Sequence, residues 1–225
     1  MQNARSMWSE RLVDVLTVYV LTDRGLSGGL SEQDVVRHAI DGGATAIQLR
    51  WKDAPLREAV SVARELKSIC AERDVLFVIN DRIDLAMAIE ADAVHLGEDD
   101  LPIPEARRLV GDSMILGYSP ADLNEVEWAF EAGADYLGVG PVYGTSSKND
   151  AGEAVGIERM REVRRLTDRP FVGIGGIHAG NAAPVIEAGA DGVAVISSVV
   201  AQADIEGAAR SLRLVVDDAL SRTRS

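Results

Sequence analysis

Lys148 lies in the segment Gly140-Pro-Val-Tyr-Gly-Thr-Ser-Ser-Lys-Asn-Asp150, where an apolar run from Tyr136 gives way to small hydroxylated residues around one cation. A strand that ends in Gly-Pro and then exposes Thr145, Ser146 and Ser147 beside a lysine carries the donors of an anion-holding loop. A plain serine-rich surface loop has the same composition, so the other strand ends must decide. One of them reads Gln48-Leu-Arg50-Trp-Lys52. The two-residue period of a strand puts Gln48, Arg50 and Lys52 on one side, with the two cations about 6–7 Å apart. An in-phase Gln/Arg/Lys triplet suits phosphate better than it suits a solvated strand end.

Two further ends are acidic. Ile79-Asn80-Asp81-Arg82 closes one apolar run, and Val94-His-Leu-Gly97 is followed by Glu98, Asp99 and Asp100. Taken singly they read as a helix cap and a solvated turn. Brought together beside a cationic phosphate site, Asp81 and one of those three acids make sense around a divalent cation. Mg2+ binds through one or two carboxylates plus phosphate oxygens. Ser119-Pro120 has the form of an N-cap followed by proline at the first helical position. Gly173-Ile-Gly-Gly176-Ile177 and Val195-Ile-Ser197-Ser198 supply glycine-exposed amides and a helix N-terminus, a second phosphate grip that uses neutral backbone. His38 reads as a helix-surface or packing residue, His95 as a mid-strand core residue and His178 as a cap. None has the partner spacing of a nucleophile relay.

The elements that must position these residues follow from a repeated phrase. Asp41-Gly-Gly-Ala-Thr-Ala-Ile-Gln-Leu49, Glu131-Ala-Gly-Ala-Asp-Tyr-Leu-Gly-Val139 and Glu187-Ala-Gly-Ala-Asp-Gly-Val-Ala-Val195 are versions of one helix end, turn and strand, and Glu90-Ala-Asp-Ala-Val-His-Leu96 is a shorter copy. Strands over Thr17–Leu21, Val75–Ile79, Met114–Gly117 and Pro170–Ile174 separate them, with helical patterns near 56–72, 83–90, 103–110, 121–132, 157–167, 179–188 and 205–220. Ser31, with Asp34 three residues on, starts the first main helix, and Gly42-Gly43 ends it. Eight alternating βα units predict a single (β/α)8 TIM barrel over residues 17–225, preceded by a short extension over 1–16, with its chemistry in the loops after the strands. A doubly wound sheet is the alternative, weakened because no Gly-x-Gly-x-x-Gly follows the first strand.

The composition agrees. A hydrophobic content of 47% with only 4% aromatic, plus 21 glycines, describes an aliphatic core with many tight turns. The formal charge of −13 repels nucleic acid and anionic lipid, so small molecules are the expected partners, and a phosphorylated one needs local cations. The single cysteine, Cys70, excludes a disulfide framework. With no signal-peptide core and no membrane-length apolar run, a cytoplasmic protein is expected; a homo-oligomer is allowed.

These segments, in this order from Thr17 to Val200, resemble the thiamine phosphate synthase (thiamine-phosphate pyrophosphorylase) family. They are Gln-Leu-Arg-x-Lys, Ile-Asn-Asp-Arg, Val-His-Leu-Gly with three acids, Leu-Gly-x-Ser, Gly-x-Gly-Pro-Val-Tyr-x-Thr-x-Ser-Lys, Ile-Gly-Gly-Ile and Val-Ile-Ser. The resemblance implies a transferase of thiamine biosynthesis that joins an aminopyrimidine methyl diphosphate to a thiazole phosphate and uses one Mg2+ per active site. It implies that Gln48, Arg50, Lys52, Asn80, Ser119 and Lys148 hold the pyrimidine diphosphate, with Arg50, Lys52, Lys148 and Ser119 carrying catalysis. Asp81 and Asp100 would ligate the metal. Thr145, Ser146 and Ser147 would meet the thiazole phosphate, with Gly176, Ile196 and Ser197 at its phosphate. The chain departs from the pattern at Gly144, where many members have proline, and at Ser147, where threonine is commoner, so a more mobile loop is expected. A thiazole tautomerase of the same family would carry a histidine after the sixth strand, where this chain has Gly140-Pro141-Val142. A phosphosugar isomerase or epimerase would need an acid/base pair facing an unmetalled site and would not need the Lys148 loop, and a non-catalytic sensor would have no use for Asp81 and Asp100 together.

Overall fold

The computed structural model describes residues 4–52, 54–145 and 153–223. Two short helices, α1 (Ala4–Ser9) and α2 (Leu12–Val15), precede β1 (Val18–Leu21). The chain then alternates through α3 (Glu32–Asp41), β2 (Ala46–Leu49), α4 (Leu56–Ala71), β3 (Leu76–Asn80), α5 (Ile83–Ile89), β4 (Ala93–Leu96), α6 (Ile103–Val110) and β5 (Ile115–Tyr118). It continues with α7 (Glu125–Ala132), β6 (Tyr136–Val139), α8 (Gly156–Leu166), β7 (Phe171–Ile174), α9 (Ala182–Glu187), β8 (Gly192–Val195), α10 (Ser197–Val200) and α11 (Ile205–Thr223). The strands pair in parallel in chain order and β8 closes on β1, giving the eight-stranded barrel that the alternation predicts. Among the described residues no helix is long and apolar enough to cross a membrane.

Strand alternation sorts the apolar residues into two cores. Val18, Val20, Ile47, Leu49, Phe77 and Ile79 pack outward against the helices. Tyr19, Ala46, Leu76, Val78, Ile115 and Tyr136 point inward and fill the barrel. The inner cluster also takes in Trp8, Leu12, Val15 and Leu16. Arg5 bonds Asp135 and Asp112, which lie just before β6 and β5. The extension, for which the sequence suggests no role, therefore covers the end of the barrel where the strands begin.

The repeated phrase has a physical cause. Its last turn residue reaches back to the strand before it: Thr45 Oγ1 accepts from Val18 N at 2.9 Å, Asp92 from Phe77 N at 3.2 Å, Asp135 from Leu116 N at 2.8 Å and Asp191 from Phe171 N at 3.0 Å. Each even strand is thus pinned to its odd neighbour at the same level. Arg107 on α6 bonds Asp135 and Arg164 on α8 bonds Asp191, both at 2.6 Å, so the helix layer is tied to the same carboxylates.

Three expected helix starts differ. Ser119 and Pro120 do not cap α7, which begins at Glu125. Instead Ala121 N donates to Glu125 Oε2 at 2.8 Å and Asn124 N to Asp122 Oδ1 at 2.7 Å. Side-chain acceptors satisfy those amides and hold a turn in place of a helical one. His178 does not cap α9; its N–H donates to Asn181 Oδ1 at 2.8 Å, and the helix begins at Ala182. Asn80 and Asp81 do not cap α5, whose flanking residue is Arg82.

Asp135→Ala leaves Arg107 and Arg5 without their shared partly buried partner, and costs about 3 kcal/mol of stability. Glu158→Ala, at a solvent-exposed ion pair on α8, costs far less, because water screens the pair. Urea denaturation of the two variants measures the difference.

Candidate active site

The strand C-termini surround one cavity of ≈ 820 Å³. Lys52, Asn80, Asp81, Asp100, Ser119, Thr145, Gly176, Ile196 and Ser197 all line it, so residues far apart in the chain meet on one surface. Ser146, Ser147 and Lys148 lie outside the described residues, as does any mobility expected of that loop. Gln48 and Arg50 do not line the cavity.

The β2 end explains those two exceptions. Gln48 is 1% exposed and turns into the barrel, where its amide donates to the Tyr19 hydroxyl. Arg50 follows at the rim, where Asp23 holds its Nη1 at 2.9 Å; its Nε is buried with no partner among the described residues. Arg24 stacks over the Trp51 ring at 3.7 Å and approaches Glu32 at 3.6 Å. Glu32 is 3% exposed, and burial pushes its carboxyl above the usual carboxylate range, only partly opposed by Thr22 and Arg24. The cations of this corner are therefore held in place by a backing of acids that the strand pattern alone does not reveal.

At the β3 end Asp81 adopts φ 62°, a left-handed conformation that costs strain for a residue with a side chain. Its N–H donates to His95 O at 2.9 Å, and its Oδ2 lies 3.8 Å from Lys52 Nζ. Asp100 Oδ2 accepts from Gly97 N at 2.7 Å, which fixes the acidic turn after β4. Among the described residues no group of three or more His, Cys, Asp or Glu side chains is placed to hold a metal ion. The donor set is two carboxylates, all oxygen, which fits a Mg2+ ion whose remaining ligands are water and phosphate. The charge balance points the same way. One lysine faces four carboxylates on the described lining, Asp81, Glu98, Asp99 and Asp100, so an anionic ligand needs a further cation there.

Two buried polar atoms on the lining residues, Asn80 Nδ2 and Ser198 Oγ, have no hydrogen-bond partner among the described residues. Buried donors are rarely left so unless a ligand completes them. His95, which the sequence reads as core, also lines the cavity. Its Nε2 lies 2.9 Å from Ser119 Oγ and its Nδ1 3.0 Å from the Tyr136 hydroxyl. Its signal in the sequence was a polar residue at an inward strand position, and its partner on the next strand is a glycine, Gly117. A Cβ at Gly117 would overlap both Tyr136 and His95.

The β6 loop is tied to β7 from one side. Val142 N donates to Ile174 O at 2.8 Å, Tyr143 N to Gly175 O at 3.0 Å, and the Tyr143 hydroxyl to Asn181 O at 3.1 Å. Gly176 has φ 65°, and a Cβ there would lie 2.6 Å from Gly144 O and 2.8 Å from Tyr143 Cβ. Only glycine lets the two loops approach this closely.

A closed parallel barrel with a cavity at its strand C-termini has the architecture of a barrel enzyme. A family model described as thiamine monophosphate synthase matches residues 18–199, and the chain belongs to that family, a family of transferases. The thiamine-phosphate synthase of Moorella thermoacetica is 49% identical over 199 residues, covering 88% of this chain and 95% of that protein. That of Natronomonas pharaonis is 50% identical over 202 residues, with 89% and 94% covered. The structure of thiamine phosphate pyrophosphorylase from Pyrococcus furiosus superposes with a TM-score of 0.86 at 42% identity, covering 93% of this chain and 99% of that one.

Gly176→Ala is expected to push the β6 and β7 loops apart and weaken binding of phosphate-bearing ligands by roughly tenfold or more, read by calorimetry, with the barrel intact by circular dichroism. Glu32→Gln tests the buried carboxyl. Because the folded-state pKa is raised, the unfolded chain ionises first as pH rises through the usual carboxylate range, and stability falls across that window and stays lower above it. The neutral glutamine removes this penalty, so its Tm exceeds that of the parent protein at pH 7. The gap closes as pH drops into the usual carboxylate range.

Proposed function

We propose that this chain is a thiamine phosphate synthase. It joins 4-amino-2-methyl-5-(diphosphooxymethyl)pyrimidine to 4-methyl-5-(2-phosphooxyethyl)thiazole and releases diphosphate; with the 2-carboxy form of the thiazole, CO2 also leaves and C2 takes a proton from water. The observation that carries this reading is the gathering of Lys52, Asn80, Asp81 and Asp100 on one wall, with an unmet Asn80 N–H among them. A diphosphate supplies acceptors for that donor and a countercharge for that cation.

In this reading Gln48, Arg50, Lys52, Asn80, Ser119 and Lys148 serve the pyrimidine diphosphate, Gln48 from inside the barrel. Asp81 and Asp100 would hold one Mg2+, which would supply charge neutralisation of the diphosphate. The carbon–oxygen bond at the pyrimidine methylene breaks and its electron pair leaves with the diphosphate; the thiazole nitrogen lone pair then forms the carbon–nitrogen bond. Lys52, and Arg50 once the ligand competes with Asp23 for it, stabilise the departing anion. Thr145, Ser146 and Ser147 meet the thiazole phosphate, and the backbone at Gly176, Ile196 and Ser197 anchors it so that the ring nitrogen faces the methylene carbon. With the uncarboxylated thiazole the bond exchange moves no proton, so it calls on Ser119 for contact with the substrate and not as a nucleophile activated by His95 2.9 Å away.

The test incubates the protein with both substrates and Mg2+ and measures thiamine phosphate and diphosphate, which should appear in equal amounts. Chelation with EDTA should stop the reaction. Asp81→Asn, which keeps a residue tolerant of the left-handed backbone and removes only the charge, should slow turnover by roughly 100-fold or more. Full activity of Asp81→Asn in excess chelator removes the metal assignment, and absence of product removes the reading itself.

A further inference from the structure

A continuous string of polar side chains runs through the inside of the barrel to the cavity. Gln48 Nε2 donates to the Tyr19 hydroxyl, which lies 3.0 Å from the Tyr136 hydroxyl. Tyr136 meets His95 Nδ1 at 3.0 Å, and His95 Nε2 meets Ser119 Oγ at 2.9 Å. Barrel interiors of this kind are ordinarily filled with branched apolar residues, so a polar string there is a departure with a cost unless every member is satisfied. Register makes the string possible. His95 pairs with Gly117, and Gly117 with Tyr136, so the glycine clears the space in which the two rings meet. A Cβ at Gly138 would stand 3.1 Å from His95 Cε1 and 3.3 Å from Ser119 Oγ, so a second glycine leaves room at the far end.

Counting protons gives the string a direction. Both tyrosines are fully enclosed, and burial raises their hydroxyl pKa values, so each is a neutral phenol with one proton to give. The Gln48 amide nitrogen can only donate. Tyr19 accepts from it and so spends its own proton on Tyr136. Tyr136 accepts in turn and donates to His95 Nδ1. A neutral imidazole that accepts at Nδ1 carries its proton on Nε2, and that proton goes to Ser119 Oγ. Ser119 accepts, and its own proton turns to the cavity it lines.

We infer that the Gln48–Tyr19–Tyr136–His95 string is a positioning device that sets the tautomer of His95 and makes the Ser119 hydroxyl a hydrogen-bond donor toward the ligand. The atom it meets is an acceptor oxygen or ring nitrogen of the diphosphate-bearing substrate. That last step rests on the function proposed above; the direction of the string does not. A Gln48 amide turned the other way would reverse every bond, put the proton on His95 Nδ1 and make Ser119 an acceptor.

Two measurements test this, one of them independent of activity. Long-range proton–nitrogen correlation spectra of the uniformly 15N-labelled protein report the tautomers of its 3 histidines, assigned with single-site variants. The expected result is a neutral His95 protonated at Nε2; protonation at Nδ1, at both nitrogens, or an averaged ring overturns the inference. The second is a double-mutant cycle on kcat/KM for the pyrimidine diphosphate. Tyr136→Phe should lower it roughly tenfold in the parent protein and by less than about twofold in Ser119→Ala, because its effect passes through the serine. Equal losses in the two backgrounds overturn the relay. If Tyr136→Phe fails to fold, the tautomer measurement on the parent protein decides. If the parent protein makes no thiamine phosphate, the proposed function fails while the spectra still judge the string.

Discussion

Parallel pairing of all eight strands, closed by β8 on β1, is the constraint on which everything else in this protein depends. Because every strand runs the same way, every C-terminus arrives at one rim, and residues from 52 to 212 can share a single cavity. The closure is held at the opposite end. Thr45, Asp92, Asp135 and Asp191 lock pairs of strands at their starts, and Trp8, Leu12 and Leu16 cover the interior below them. Stability is thus concentrated where the strands begin, which leaves the rim available for strained or unsatisfied groups such as Asp81 and Asn80.

Charge at the rim is organised against the grain of the molecule. A chain with net charge −13 must attract an anion, and the described lining carries more carboxylates than cations. Arg50 and Lys52 sit beside Asp23 and Asp81, so both cations are oriented by acids of the same corner; in the function proposed above, a ligand competes for them. A divalent cation at Asp81 and Asp100 would convert the same acids from repulsion into binding energy. Buried Glu32 behind Arg24 extends this backing one layer inward.

The barrel interior adds a second kind of order. Gln48, Tyr19, Tyr136 and His95 place hydrogen-bonding groups where an apolar plug would suffice for stability. Low dielectric makes such a string strong when complete and costly when broken, so it ties the protonation of one ring to an amide on another strand. Gly117 and Gly138 are part of that device, because volume removed from two strands is what admits the rings of the others.

Much of this was legible in the sequence. Apolar runs and the Ala-Gly-Ala-Asp phrase determined the strand count and the strand order, since periodicity and turn chemistry are local properties. The same local rules misplaced the starts of α7 and α9, because Glu125 and Asn181 bond amides that would otherwise have entered the helices. Only the tertiary structure decided which way inward residues face each other. It turned Gln48 from a presumed rim residue into an interior one, gave Arg50 its partner Asp23, and brought His95 between Tyr136 and Ser119. Those contacts depend on register across a closed sheet, and register is a relation between strands that no single stretch of chain contains.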